Sequence, residues 1–219
     1  MESQVRGGTR WKRFAVVMVP SVAATAAIGV ALAQGALAAS FSVSGQEFKV
    51  RAGLLEGTGF TQYGAIDTGK SLDGKKDEAH PVAVSAFESA KITNLCQSVV
   101  TPIPLLGKEV TLKLTAGDKG KKVEASQLYI DVANLDAEDA VFGKMDIGVA
   151  AGSATKGPKP KPEEYEQKKA SPFGFAQQAD TAVLTGVKQT AWATTAGTFK
   201  LSNLHMGLSW GSGEKYECY

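Results

Sequence analysis

Stretches in which every second residue is apolar recur along most of this chain, and that two-residue period marks half-buried strands. Phe41-Ser42-Val43-Ser44 and Phe48-Lys49-Val50-Arg51 alternate around Gly45-Gln46 and predict a short hairpin. Val82 to Leu95 reads as one or two strands, and Val110 to Leu114 as another. Val123, Ala125, Leu128, Ile130, Val132 and Leu135 carry the pattern on. It returns in Ala182-Val183-Leu184, Val187 to Trp192, Thr198 to Leu204 and Met206 to Trp210. Only Asp131 to Asp139 has the local makings of a helical turn. The fold expected is mostly β: one domain, a β-sandwich or a strongly curved sheet.

The breakers divide these runs. Gly53, Gly57, Gly59 and Gly64 surround Phe60 and Tyr63, a density that excludes a helix and suggests bends or close backbone approach. Residues 67–80 are charged and contain glycine, so a surface loop is expected there. Ser98 to Leu106, with Pro102 and Pro104, reads as a connection, and Asp118-Lys119-Gly120-Lys121 as a turn. Residues 156–169, rich in Pro, Lys and Glu, have little to bury and predict an exposed loop. One echo stands out: Lys91-Ile92-Thr93-Asn94-Leu95 against Lys200-Leu201-Ser202-Asn203-Leu204, with a looser version around Ser126-Gln127-Leu128 and Val132-Ala133-Asn134-Leu135. Two good copies do not establish a period.

The first 38 residues differ from the rest. Arg6, Arg10, Lys12 and Arg13 precede an uncharged stretch from Phe14 to Phe41, and Ala36-Leu37-Ala38 offers a small-residue cleavage site. That order is a secretory leader. Its apolar part is roughly 20 residues long, close to what a bilayer core needs. Residues 1–38 are therefore read as a signal peptide or as an N-terminal anchor held by residues 14–33, with residues 39–219 as a β-rich exported domain. The expected location is extracellular or in the cell envelope.

The leader also distorts the charge. It takes four of the 24 Lys+Arg and one of the 22 Asp+Glu, so residues 39–219 carry a net −1 rather than the whole chain's +2. Nothing in that balance calls for nucleic acid. The two cysteines, Cys96 and Cys218, both follow the leader. In an oxidising compartment they are expected as a disulfide. It would close a loop of about 120 residues, worth roughly 4–5 kcal/mol in the chain-entropy model.

Candidate chemistry is thin. Gly207-Leu208-Ser209-Trp210-Gly211 matches the G-x-S-x-G nucleophile elbow. Both histidines, His80 and His205, precede Ser209, whereas that elbow needs a strand before it, a helix after it and a later histidine. Asp131, Asp136, Glu138, Asp139 and Asp146 cluster without calcium-loop spacing and read as a solvated face. No catalytic, cofactor-binding or metal residue is assigned from the sequence, and no cofactor is expected. His80 and His205 read as structural or surface residues. Phe60, Tyr63, Phe173, Phe175, Trp192, Phe199 and Trp210 read as core, with some lining an apolar groove in the alternative.

Three stretches carry a resemblance: Phe41 to Val50 with Gln62-Tyr63-Gly64; Leu95-Cys96-Gln97-Ser98-Val99-Val100; and Lys188-Gln189-Thr190-Ala191-Trp192-Ala193-Thr194-Thr195-Ala196-Gly197-Thr198-Phe199-Lys200-Leu201. They resemble the exported actinobacterial proteins of unknown function, common in Streptomyces, that are sometimes labelled "cholesterol esterase". The resemblance implies a cell-envelope setting and brings no catalytic residues. The expectation is a non-enzymatic envelope protein that binds a lipid or other apolar molecule. The alternatives are a cell-surface structural or interaction protein, whose partner is a membrane-associated protein, and, remotely, a secreted ester hydrolase using Ser209. The oligomeric state is left open.

Overall fold

The computed structural model describes residues 42–219, so the leader and its cleavage site lie outside the described residues. The strands are β1 (Phe48–Lys70), β2 (Asp77–Thr93), β3 (Leu95–Ile103), β4 (Lys108–Ala116), β5 (Val123–Asp136), β6 (Asp139–Gly143), β7 (Asp146–Ala150), β8 (Phe175–Thr195), β9 (Thr198–Lys200) and β10 (His205–Trp210). All ten join one antiparallel sheet in the order β10-β4-β3-β1-β2-β5-β8-β6, with β7 on β8 and β9 on β5. β1 pairs with β2 over Leu54–Lys70 and also with β8 over Phe48–Tyr63. The β2–β5 and β5–β8 ladders complete a ring of four strands. The sheet is thus strongly curved and closes on itself, which removes free edges around that ring.

The main core fills the ring: Val50, Ala52, Leu55, Phe60, Phe87, Ile92, Leu95, Val123, Leu128, Ile130, Val132, Leu184 and Val187 are among its buried residues. The Phe60 ring sits 5.2 Å from those of both Phe87 and Phe142. Gly57 is required here, because a Cβ would lie 2.3 Å from the Phe87 ring. Burial of a single such aromatic contributes about 2–3 kcal/mol.

The sequence echo has a local cause. Asn94 and Asn203 occupy the left-handed region at φ 54° and 53°, between β2 and β3 and between β9 and β10. Gln127 in the looser copy sits at φ 48°. Asparagine tolerates that conformation better than most residues. The two good copies share a left-handed asparagine at a bend or turn, whereas Asn134 of the looser copy sits in ordinary strand backbone, so the echo is local chain geometry and not a solenoid unit.

Several expectations are corrected. Gly45-Gln46 is not a hairpin turn; Val43 makes a parallel bridge with Gly69 while β1 begins at Phe48. Residues 67–80 are mostly strand, with only 71–76 outside β1 and β2. Pro102 lies inside β3 rather than in a connection, on a strand whose partner β4 supplies the other side. Asp131–Asp136 completes β5 instead of forming a helical turn, and its ladder with β8 shifts register around Val132. Side-chain burial against β2 and β8 outweighs the local helical tendency.

Candidate functional site

Two places in the sheet depart from a plain barrel. The first is a strap, residues 151–174, linking β7 to β8 through a 3-10 turn (Ala151–Ser153) and a one-turn helix α1 (Pro162–Glu166). Rather than projecting into solvent as an exposed loop, its segment 156–169 lies across the sheet. Ile66 N–H donates to Lys169 O at 2.8 Å, and Thr155 and Lys156 N–H donate to Gln178 Oε1 at 2.7 and 3.1 Å. Gly157 has no room for a side chain, since a Cβ would meet Gly59 O at 2.5 Å.

The strap covers a second core: Tyr63, Val82, Val84, Ala151, Ala170 and Ala176, with Tyr129, Tyr165 and Trp192 packed against it. Alternation explains why this core exists. Asp131 lies between Ile130 and Val132, both in the ring's core, so its side chain turns to the opposite face. There it pairs across the strands with Val84, which pairs with Tyr63.

That covered face holds three acids. Burial raises the Asp131 carboxyl to about 8, and the neighbouring Asp67 and Glu164 charges push the same way. Asp67 is also raised by burial, and the two aspartates share a hydrogen bond, which needs one proton between them. Glu164 is raised by burial too, partly offset by Lys161 N–H (3.0 Å) and Tyr63 O–H (3.1 Å) donating to its Oε2. Tyr63 is pushed well above the ordinary phenol range by its own burial and by Glu164, and Tyr129 rises to about 12. Lys161 Nζ lies 4.7 Å from the centre of the Tyr129 ring. His80, opposite Asp67 in the ladder, stacks on Trp192 at 3.5 Å. Among the described residues Asp67 Oδ2 is buried without a hydrogen-bond partner, and His80 Nε2 lies 3.5 Å from Glu78 Oε2.

The second place is a wing. β3, β4 and β10 extend the sheet beyond the ring, and among the described residues β10 pairs only with β4. One wing face is sealed by the C-terminal tail. Cys218 is joined to Cys96 across 122 residues, with a Cα–Cα distance of 5.8 Å. Its N–H donates to Ser98 Oγ at 3.1 Å, and Lys113 Nζ donates to Glu217 O at 2.7 Å. Lys49 pairs with Glu217 at 2.8 Å, and that bond holds the Glu217 carboxyl below its usual range.

The other wing face is open and apolar. Leu95 and Ala116 are paired and buried in the main core. Two and four residues outward on the same face come Gln97–Leu114–Met206 and Val99–Leu112–Leu208, then Thr101–Val110–Trp210. This is the ring's inner surface continued into solvent. Leu208 is 72% exposed and Trp210 59%. At the free end, Pro102, Ile103, Pro104, Lys108 and Trp210 line a groove of about 580 Å³.

A family model described as a family of unknown function, DUF6230, matches residues 44–219. The chain belongs to that family. No curated protein matches it. No solved structure matches either.

For this member of the family, the structure separates what the G-x-S-x-G reading would bring together. Ser209 is the next-to-last residue of β10, opposite Thr111, followed by Trp210 and then a bend rather than a helix. His205 shares its strand face about 13 Å away, and His80 belongs to the strap-covered core. The acidic residues grouped in sequence also disperse: Asp146 bonds Gln178 and Lys156, while Asp136 is exposed. Among the described residues, no three His, Cys, Asp or Glu side chains are placed to hold a metal ion. No described helix is long and apolar enough to cross a membrane. Phe173, Phe175, Phe199 and Trp210, read as core, are exposed instead.

Sequence reasoning missed the Asp67–Asp131–Glu164 cluster, because each acid lies in a segment read as solvated. A usable signal was present for one of them. Tyr63, Ala65, Asp67 and Gly69 share one strand face, so continuing the β1 alternation through residue 70 places Asp67 beside Tyr63's surroundings.

Proposed function

We propose that this is a non-enzymatic, exported cell-envelope protein that holds lipid acyl chains on the open face of its wing. The observation that carries the reading is the strip running from buried Leu95 and Ala116 out to exposed Leu208 and Trp210. A core surface continued into water is costly unless something apolar covers it. The groove of about 580 Å³ at its end is on the scale of small-ligand sites. The Cys96–Cys218 disulfide supports a non-cytosolic compartment, and the leader read from the sequence supports export.

Native mass spectrometry of protein taken gently from its own envelope tests this. A copurifying lipid mass, lost on organic extraction and depleted in Leu208→Lys, is the expected result. Protein that carries no lipid mass in either form overturns it.

The edge of β10 that no described strand pairs favours a second reading, a surface interaction protein that adds a partner's strand. Apart from His205, β10 carries no titratable side chain, and it has no proline, so it lacks the usual guards against edge pairing. A defined oligomer that dissociates on Gly207→Pro would support that reading.

A further inference from the structure

We infer that the wing meets its lipid as a bilayer, entering tip-first through Leu105 and Leu106. This rests on the lipid reading above and names the form the lipid takes.

The β3–β4 turn is built to protrude. Leu106 N–H donates to Ile103 O at 3.1 Å, which closes the turn on itself, and Gly107 takes φ 58° to bring the chain back. Leu105 is 95% exposed and Leu106 57%, side by side at the apex. One turn of chain behind them, Lys108 Nζ lies 5.7 Å from the centre of the Trp210 ring. Paired leucines leading, with an indole and an ammonium behind, match the depth order of a bilayer boundary: acyl chains first, then the belt where Trp and snorkelling Lys reside. A soluble protein partner would give no reason for that order.

The chain's course agrees. Gln46 Nε2 donates to Val100 O at 2.7 Å and its Oε1 accepts from Thr101, so the polypeptide enters the domain beside β3, a few residues short of the tip. The apolar stretch 14–33 ends a dozen residues earlier in the sequence. Twelve extended residues reach at most about 40 Å. Were that stretch kept in a membrane, the tip would lie within reach of the same bilayer.

Charge sets the lipid class. Lys108 is followed by Glu109, whose carboxylate accepts from Ser212, so the tip offers no basic patch. Apolar insertion is therefore the driving term, and zwitterionic lipid suffices.

The test uses the full chain with a polarity-sensitive fluorophore on Leu105→Cys, the native cysteines being joined to each other. Phe173→Cys, equally exposed at 90% on the strap, is the control. A second tip position, Leu106→Cys, guards against one labelled variant misfolding. With phosphatidylcholine vesicles carrying an acyl-chain quencher, quenching at 105 and 106 is expected to exceed that at 173 at least threefold. Replacing a third of the lipid with an anionic one should change it by less than twofold. Equal quenching at 105 and 173 overturns the inference, as does a dry signal at 105 without vesicles, which would mean a second copy covers the tip. Should lipid copurify while 105 stays wet, the docking fails and the acyl-chain reading survives.

Discussion

The strap and the wing treat the two faces of one sheet in opposite ways. Under the strap, the outer face of β1, β2 and β5 is covered, which brings its Asp67 and Asp131 and the strap's own Glu164 into partial burial. On the wing, the inner face is uncovered, and it carries Leu208 and Trp210 into water. Each arrangement costs stability where a plain barrel would not. Buried acids must keep a proton or a partner, and exposed leucines forgo the transfer energy of burial. The lesson is that the stabilising interactions reside in the closed ring and the tail disulfide. The strap and the wing are regions that the ring supports.

The disulfide gives the largest expected separation of the two. Cys96→Ser with Cys218→Ser should lower unfolding free energy by about 4–5 kcal/mol in denaturant titration. Amide exchange should quicken first in β3, β4 and β10 while Ile66 and Ala170 stay protected. Uniform loosening would show that the wing and the strap-covered core are one cooperative unit.

Next comes the strap's seat. Gly157→Ala forces a Cβ against Gly59 O and should cost about 1–3 kcal/mol. Protease cleavage within residues 156–169 should rise, leaving the wing unchanged. An unaltered Tm and cleavage pattern would mean the strap is not seated there.

The acids give a pH signature. Asp131 is raised in the native state from 3.8 to about 8, so between those values the unfolded chain has lost a proton that the native chain keeps. Stability is thus fully supported below about pH 4 and falls as pH rises towards 8, by up to about 1.4 kcal/mol per pH unit. Asp67 and Glu164, also raised, act in the same sense, while Lys169 opposes. Asp131→Asn keeps a donor for Asp67 without the charge. It should flatten this slope and raise stability at pH 7.5, and an unchanged slope would place the shared proton elsewhere.

The smallest effect belongs to the wing. Leu208→Ser removes an exposed side chain and should change stability by no more than about 0.5 kcal/mol. A loss above 2 kcal/mol would mean the face is covered within the protein itself.

The contrast also explains what could be read from the chain. Alternation located most strands, since Val123 to Ile130 or Val187 to Trp192 each bury one face. Cysteine count and compartment were enough for Cys96–Cys218. Closure was not legible, because whether β1 finds β8 as well as β2 depends on pairing between segments far apart in the chain, such as Phe48 with Ala191, which local pattern does not rank. The acid cluster was hidden for a related reason. Asp67, Asp131 and Glu164 come from three distant segments, and only the strap's path makes them neighbours.

The tail bond also orders events in time. Cys218 lies 122 residues after Cys96 and beyond the last strand, so the link forms only once all ten strands have been synthesised. The ring strands can pair before that moment, whereas the wing gains its seal last. A product that stops short of Cys218 would keep its barrel and present an unfastened edge, which makes this bond a late check on the wing.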